Sequence, residues 1–317
     1  MDMKTTLKLH LGLSTALFAP LILSSSVAAV SATDVTKAEV NGEAINAASE
    51  PARPQPTQRV VFKNTTGSVG QPVQLHLNIF NPVGHQAGHK TPVFVFFYGG
   101  GWNTGNPRLL FQHCAYFASR GIVAIAPDYR VKKRQGTTPF ESVADGKSAI
   151  RYVRAHATEL GINPDKIVVA GTSAGGHVAA CTATISGLDE KTEDTAISSV
   201  PNALVLYNPV VDTSPAGFGN KRLKDRWQEI SPLQHVRPGL PPTIVFHGDA
   251  DKTVPYTNAV AFTEAMKQAG NRCELVTFPG VGHGFVPKFA TPTAQIALRD
   301  TDKFLASLGY LQGQPTL

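Results

Sequence analysis

Hydrophobic and polar positions along the chain alternate between short apolar runs and longer amphipathic stretches. Runs of three to eight residues with period two, or continuously apolar, predict β-strands. These runs lie at residues 60–62, 73–80, 93–98, 122–126, 166–170, 203–207, 243–246 and 274–278. Amphipathic stretches with helical spacing lie at residues 109–120, 140–160, 258–269 and 293–308, and a further helical run follows residue 175. The chain therefore predicts strands that alternate with helices.

This alternation predicts an α/β fold with a mostly parallel sheet of about eight strands and helices on both faces. The two earliest strands alternate in the manner of an antiparallel pair, so the sheet is expected to be mixed. No internal repeat interrupts the pattern, and a single domain is predicted over residues 59–312. Residues 209–240 lack strong periodicity and predict a short excursion over the strand ends rather than a large lid.

The first residues have the pattern of a secretory signal. Lys4 and Lys8 precede an apolar stretch at 11–23, and small residues end in a cleavage sequence at 30–32, with 27–29 as a second choice. The apolar stretch is too short to span a membrane, although an uncleaved anchor remains the alternative. We expect export to the periplasm or beyond, with residues 1–32 removed. Residues 33–58, rich in Ala, Glu, Asn and Pro, predict a flexible leader.

Composition narrows the function further. The formal charge of the 317-residue chain is +6, but the basic residues are scattered apart from a small group at 130–134, so no nucleic-acid partner is predicted. Cys114, Cys181 and Cys273 are an odd number in apolar surroundings. They predict buried free thiols, with one disulfide left open. No cysteine spacing suggests a zinc site.

The sequence Gly-Thr-Ser-Ala-Gly at 171–175 lies between a predicted strand and a predicted helix. In that context G-x-S-x-G is typical of a nucleophile elbow, in which a strained backbone raises the serine hydroxyl above the sheet. Residues two before and two after the serine then crowd each other, so only small ones fit. The positive end of the following helix favours developing negative charge at the turn. Ser173 is therefore a candidate nucleophile.

A serine nucleophile needs a base, and the base needs an orienting acid. Two turns follow later strands, at 247–255 and 280–285, and the second contains His283. The first offers Asp249 and Asp251, of which the motif match favours Asp251, with Asp249 left open. His247 is expected to hydrogen-bond within its own turn.

Three glycines at 99–101 directly follow the strand predicted at 93–98. Their backbone N–H groups, together with that of Ala174, are candidates for an oxyanion hole. The next residue, Trp102, is a candidate substrate wall that either stacks on a sugar ring or lines a pocket.

These motifs resemble those of the α/β-hydrolase esterases of the hormone-sensitive-lipase-like kind, close to bacterial acetyl- and feruloyl-esterase-type carboxylesterases. The matching sequences lie, in the family's order, at 99–102, 128–130, 171–175, 247–251 and 282–284. The resemblance implies Ser173 as nucleophile, Asp251 as acid and His283 as base. It also implies oxyanion donors, which are Gly100, Gly101 and Ala174. The family's loop usually begins with His, where this chain has Tyr98, and the short leader predicts no substantial cap.

The sequence thus predicts an exported serine esterase that hydrolyses short acyl, above all acetyl, or aromatic acyl esters of small molecules or polysaccharides. No metal or organic cofactor is expected, and the oligomeric state is left open. A lipase would have a longer apolar lid, and a prolyl-oligopeptidase-type peptidase a propeller domain. A non-catalytic binding protein would usually have lost Ser173, His283 or the glycine loop.

Three charged residues outside these motifs are given structural roles. Asp128 and Arg130 are predicted to pair with each other, and Asp145 to lie exposed on the helix predicted at 140–160.

Overall fold

The computed structural model describes residues 53–317. The predicted signal segment, 1–32, and most of the predicted leader lie outside the described residues, and both stay predictions. Within residues 53–317, no helix is long and apolar enough to cross a membrane.

The described residues form one mixed sheet of eight strands. In chain order these are β1 Gln58–Thr66, β2 Pro72–Phe80, β3 Thr91–Phe97, β4 Val123–Pro127, β5 Ile162–Thr172, β6 Ala203–Tyr207, β7 Thr243–Gly248 and β8 Cys273–Phe278. Their order across the sheet is β1-β2-β4-β3-β5-β6-β7-β8. This is the architecture predicted from the hydrophobic pattern, which the structure confirms.

Strand direction explains where a site can form. β2 runs antiparallel to β1 and β4. The remaining neighbours in the sheet, β4-β3-β5-β6-β7-β8, are all parallel to one another. The carboxyl ends of the parallel strands therefore meet at one edge of the sheet, where open α/β sheets build their ligand sites. β5 is central, since Gly171 at its end pairs with Phe97 of β3 and Leu206 of β6.

Seven α-helices cover the sheet within the described part of the chain. They are α1 Phe111–Ser119, α2 Lys132–Gln135, α3 Pro139–Ala155, α4 Ala174–Thr184, α5 Asn220–Leu223, α6 Tyr256–Gln268 and α7 Pro292–Ser307. α3 begins with a capping box, in which Thr138 and Glu141 satisfy each other's backbone N–H groups. It ends five residues before the predicted end at 160, because His156 leaves the helical conformation and a turn leads to Gly161.

The segment at 209–240 contains only short helical turns. α5 is followed by two 3₁₀ helices, Lys224–Ile230 and Pro232–His235. The segment is tied down where His177 of α4 hydrogen-bonds the carbonyl of Ile230 over 2.6 Å. This agrees with the predicted short excursion.

The three cysteines are buried free thiols, as predicted. The prediction for Asp145 is wrong. Its side chain is fully buried and accepts hydrogen bonds from Lys63 and Arg130, each over 2.7 Å. Both cations also reach Glu190, at 2.6 and 3.2 Å. We call these four residues the internal charge cluster.

The predicted pairing of Asp128 with Arg130 is also wrong. Arg130 belongs to the internal charge cluster, and Asp128 instead pairs with Arg134 over 2.9 Å. Neighbours in a loop point in different directions, so proximity along the chain did not decide the partner.

Candidate active site

Ser173 lies in the turn between β5 and α4, with φ 56° and ψ −121°. Non-glycine residues rarely adopt a positive φ. The backbone on either side holds this conformation, because the Ser173 N–H donates to the Tyr207 carbonyl over 3.0 Å and its own carbonyl accepts from His177. The Ser173 side chain thereby lines a cleft at the carboxyl edge of the sheet.

The glycines around Ser173 are required by space. A Cβ on Gly171 would lie 2.1 Å from the carbonyl oxygen of Gly175. A Cβ on Gly175 would lie 2.3 Å from the carbonyl oxygens of both Phe97 and Tyr98. These neighbours are backbone atoms that cannot move aside. The structure thus confirms the predicted crowding of the residues two before and two after Ser173.

The structure brings Ser173, His283 and Asp251 together from the ends of three strands. His283 Nε2 lies 2.8 Å from Ser173 Oγ, and His283 Nδ1 lies 2.6 Å from Asp251 Oδ2. Both distances are those of good hydrogen bonds. The Asp251 side chain is fully buried, while His283 keeps 19% of its side chain exposed. The imidazole therefore connects a buried carboxylate to a hydroxyl in the cleft.

The surroundings of Asp251 keep it ionised. Its Oδ1 accepts from the N–H groups of Thr253 and Val254 over 2.8 and 2.9 Å, and His247 Nε2 lies 3.2 Å from its Oδ2. Burial acts to raise the pKa of Asp251, but the hydrogen bonds from His247, His283 and the backbone outweigh it and hold the pKa below its usual value. An ionised Asp251 only accepts, so His283 carries its proton on Nδ1 and offers a lone pair on Nε2 to Ser173.

The alternative acid, Asp249, is exposed and does not contact His283. Its carboxylate accepts from the Gly280 N–H over 2.7 Å, which joins the turn after β7 to the turn after β8. His247 also bonds within its own turn, to the Val254 carbonyl over 3.1 Å. Of the two candidate carboxylates, only Asp251 has the geometry of an orienting acid.

The glycine loop after β3 lines the same cleft. Gly100 and Gly101 have φ values of 137° and 60°, which glycine adopts without strain. Within residues 53–317, no backbone carbonyl accepts from the N–H groups of Gly100, Gly101 or Ala174. The predicted oxyanion donors are thus free to bind a ligand oxygen.

Two contacts brace this loop. Gly101 offers its carbonyl to the guanidinium of Arg222, which comes from α5. Tyr98, which replaces the family's usual histidine, is fully buried, donates to Asp128 over 3.1 Å and stacks on Tyr129 at 4.3 Å between ring centroids. The tyrosine therefore fixes the base of the loop by packing and by its hydroxyl.

The cleft that contains Ser173 and His283 has a volume of about 360 Å³, and we call it the Ser173 cleft. Leu109, Phe218 and Pro287 supply its apolar walls. Trp102, the predicted substrate wall, does not line it. Trp102 is 2% exposed, packs on Phe218 with ring centroids 5.7 Å apart, and lines a separate cleft.

Sequence reasoning did not identify Asn208. This residue directly follows β6, has φ 37°, and places Nδ2 3.5 Å from His283 Nε2. Its position was the available signal, because β6 lies between β5 and β7 and its end must face the same edge of the sheet.

The sheet order, the elbow at Ser173 and the two strand-end turns define the class of protein, an α/β-hydrolase. The profile of the BD-FAE family matches residues 77–217 and 212–266. The chain therefore belongs to the BD-FAE family, and the resemblance to α/β-hydrolase esterases is confirmed.

Several similar proteins are esterases by name. Esterase LipC of Mycobacterium tuberculosis is 30% identical over 61% of this chain and 53% of its own length. An acetylxylan esterase of Xylanibacter ruminicola is 28% identical over 59% of this chain and 39% of its own length. The chain thus spans about half the length of such curated relatives.

Solved structures of Thermogutta terrifontis esterase 2 cover more of the chain. The structure with propionate bound and the one phosphorylated by paraoxon are each 44% identical, with a TM-score of 0.76. In both cases the alignment covers 83% of this chain and 98% of the other.

Proposed function

We propose that the protein is a serine carboxylesterase that uses Ser173, His283 and Asp251 as a catalytic triad. The observation that carries this proposal is the pair of contacts made by His283, 2.8 Å to the Ser173 hydroxyl and 2.6 Å to the Asp251 carboxylate. This arrangement is what a hydroxyl requires to become a nucleophile near neutral pH.

In the first half of the reaction, Ser173 Oγ attacks the ester carbonyl carbon while its proton passes to His283 Nε2. The carbonyl oxygen becomes an oxyanion, which the N–H groups of Gly100, Gly101 and Ala174 stabilise. His283 then gives its proton to the oxygen of the leaving alcohol, and the C–O bond breaks. The products are a free alcohol and an acyl group on Ser173.

In the second half, a water molecule takes the place of the alcohol. His283 Nε2 accepts a proton from the water as its oxygen attacks the acyl carbon, and the same donors hold the second oxyanion. Collapse breaks the bond to Ser173 Oγ, which recovers its proton from His283. The carboxylic acid leaves, and no metal or organic cofactor takes part.

We propose short acyl groups, above all acetyl, as the preferred acyl part, carried on small molecules or on polysaccharides. The Ser173 cleft is small, about 360 Å³, and the Thermogutta esterase was solved with propionate bound. A relative named acetylxylan esterase supports a carbohydrate alcohol. Aromatic acyl groups remain the second candidate. The signal-like sequence at 1–32 supports export to the periplasm or the medium.

The decisive variant is Ser173→Ala. We expect kcat/KM for p-nitrophenyl acetate to fall by about 10⁴-fold or more, because the nucleophile is lost while the fold is kept. Circular dichroism and the Tm check the fold. Ser198→Ala is the matched control, since Ser198 is exposed and does not line the Ser173 cleft. Undiminished hydrolysis by Ser173→Ala would place the chemistry elsewhere.

Covalent labelling separates an enzyme from a non-catalytic binding protein. Paraoxon, which phosphorylated the Thermogutta esterase, should transfer one diethylphosphoryl group to Ser173 Oγ with release of p-nitrophenolate. Mass spectrometry of the intact chain and of its peptides should locate the adduct at Ser173, with none in Ser173→Ala. A series of p-nitrophenyl esters tests the acyl preference, and highest activity on long chains would contradict it.

A further inference from the structure

A second cleft, of about 300 Å³, adjoins the proposed active site. Its lining includes three cationic side chains and three groups with hydrogen-bonding capacity, which are Lys132, Lys221, Arg222, Trp102, Thr137 and Thr138. We call it the basic cleft. Neither the proposed triad nor the proposed oxyanion donors belong to it.

The charge of the basic cleft is not neutralised. Within residues 53–317, Lys132, Lys221 and Arg222 form no ion pair. Of the described residues that line the cleft, none is an aspartate or glutamate. Cations that converge without a counter-ion raise the local positive potential and attract anions.

Two buried polar groups of the same lining have no hydrogen-bond partner among the described residues. These are the indole Nε1 of Trp102 and the hydroxyl of Thr137, in side chains that are 2% and 6% exposed. Buried donors are normally satisfied, and an unsatisfied one is costly. The neighbouring Thr138 differs, since its hydroxyl is already engaged in the cap of α3. An unneutralised group of three cations, above a wall that holds two unsatisfied polar groups, favours a ligand oxygen that carries negative charge.

The basic cleft and the Ser173 cleft share one wall. Gly101 lines the Ser173 cleft, and the next residue along the chain, Trp102, lines the basic cleft. Phe218 of the Ser173 cleft packs on Trp102, and the Arg222 guanidinium lies 5.7 and 6.0 Å from the centres of these two rings. Arg222 also holds the Gly101 carbonyl. The two clefts therefore adjoin, so that a substrate larger than a simple ester extends from the Ser173 cleft into the basic cleft.

We propose that the basic cleft binds a carboxylate carried by the substrate, so that the enzyme prefers acyl esters of acidic saccharides, such as oligosaccharides with a uronate unit. The inference rests on the proposed esterase function and adds the substrate class. The volume of the basic cleft, about 300 Å³, lies at the lower end of the range for ligand sites, which suits one sugar unit. The carboxylate receives the charge-assisted hydrogen bonds that the cations offer.

Matched substrates test this preference. Acetylated xylo-oligosaccharides that carry glucuronate are compared with the same preparation after the glucuronate has been removed, and acetate release gives kcat/KM for each. We expect the charged ester to be preferred about five-fold, and the preference to shrink as sodium chloride is added. Equal kcat/KM values for the two preparations would overturn the proposal.

Variants connect the preference to the cleft. The double variant Lys132→Gln/Lys221→Gln should bring the ratio of kcat/KM for the charged ester to kcat/KM for the neutral ester towards one, because two of the three cations are gone. Thr137→Val should lower the ratio as well, without lowering the Tm, since the hydroxyl has no partner to lose. Lys133→Gln is the matched control, an exposed neighbour outside the lining that should keep the ratio. A ratio unchanged in the double variant would also refute the inference.

Binding is measurable without catalysis. The chain has two tryptophans, so Trp227→Phe leaves Trp102 as the only indole. Sodium glucuronate should change its fluorescence saturably, whereas glucose at the same ionic strength should not, and the added Lys132→Gln/Lys221→Gln change should abolish the effect. Absence of a saturable change would count against the cleft. If Ser173→Ala kept its hydrolysis while glucuronate still bound, the triad proposal alone would fail.

Discussion

Two buried aspartates, Asp251 and Asp145, lie in very different regions of the molecule. Each side chain is fully buried, and each accepts several hydrogen bonds. Asp145 is held by Lys63 and Arg130, which are themselves 7% exposed. Asp251 is held by neutral donors and by His283, whose other nitrogen reaches a hydroxyl in an open cleft. Burial of a carboxylate therefore does not by itself identify a reactive site. What distinguishes Asp251 is that its partner, His283, also contacts a hydroxyl in an open cleft.

The two regions also differ in whether the charge of the buried aspartate is neutralised. The internal charge cluster contains two cations and two anions, so its charges satisfy one another. Asp251 is an anion among N–H donors, and no lysine or arginine of residues 53–317 forms an ion pair with it. Under the proposed mechanism, its charge stabilises the imidazolium that forms on His283 when Ser173 loses its proton.

The largest effect should come from Asp251→Asn. A neutral amide can donate as well as accept, so it no longer holds His283 in the tautomer with its proton on Nδ1, and kcat should fall by about 10⁴-fold. Turnover of p-nitrophenyl acetate measures this, with the Tm as a check that the fold survives. A loss below ten-fold would remove Asp251 from the proposed triad.

Asp145→Asn should lower the stability of the fold and leave turnover unchanged, the opposite of what is expected for Asp251→Asn. Removing one anion leaves Lys63 and Arg130 buried with only Glu190, and the free energy of unfolding should fall by about 3 kcal/mol. Denaturant unfolding measures the loss, while kcat per folded molecule should stay unchanged. A large fall in kcat without a loss of stability would erase the distinction between the two regions.

The pH dependence of stability should come from neutral buried histidines rather than from Asp251. Burial, opposed by a hydrogen bond to a carbonyl, lowers the pKa of His113 and of His177 to about 4. The unfolded chain takes up these protons near pH 6.5 and the folded chain only near 4. The free energy of unfolding should therefore fall as pH drops through this interval, by up to about 1.4 kcal/mol per pH unit for each histidine.

Unfolding in guanidinium chloride at pH 7, 6 and 5 gives this slope, and His113→Phe should flatten it. The pKa of Asp251 is lowered, so its contribution to stability is lost only as the pH falls below the usual aspartate range. The stability deficit of Asp251→Asn should accordingly be the same at pH 7 and pH 5. A deficit that disappears by pH 5 would mean that Asp251 protonates in this range.

The smallest effect is expected for Asp249→Ala. This side chain is exposed and accepts one N–H bond from Gly280, so kcat/KM should change by less than about three-fold and stability by no more than about 1 kcal/mol. Esterase kinetics beside Asp251→Asn test the two carboxylates against each other. If Asp249→Ala lost as much activity, the assignment of the acid would be reversed.

Much of the fold and of the site could be predicted, because both follow from local signals. The strand pattern and the glycines of the elbow specify a parallel sheet with a turn that only small residues allow. Parallel strands bring their carboxyl ends to one edge, so Ser173, Asp251 and His283 could be placed together without knowing any distance.

The error on Asp145 arose because its partner lies far along the chain. Asp145 meets Lys63 across 82 residues, and an acidic position in an amphipathic helix is indistinguishable from a solvated one until that partner is known. Asn208 was missed because a single amide at a strand end has no motif. Trp102, predicted as a substrate wall, does not line the Ser173 cleft, because the direction of its side chain depends on a positive φ of 55° that sequence does not specify.

The backbone of Ser173 has one more consequence. A non-glycine residue at φ 56° and ψ −121° destabilises the folded chain by about 1–3 kcal/mol, which glycine would avoid. Under the proposed mechanism, the residue best for heat resistance at this position is thus not the residue best for turnover. Directed evolution that selected for thermal survival alone would favour loss of the serine, so activity must be selected together with stability.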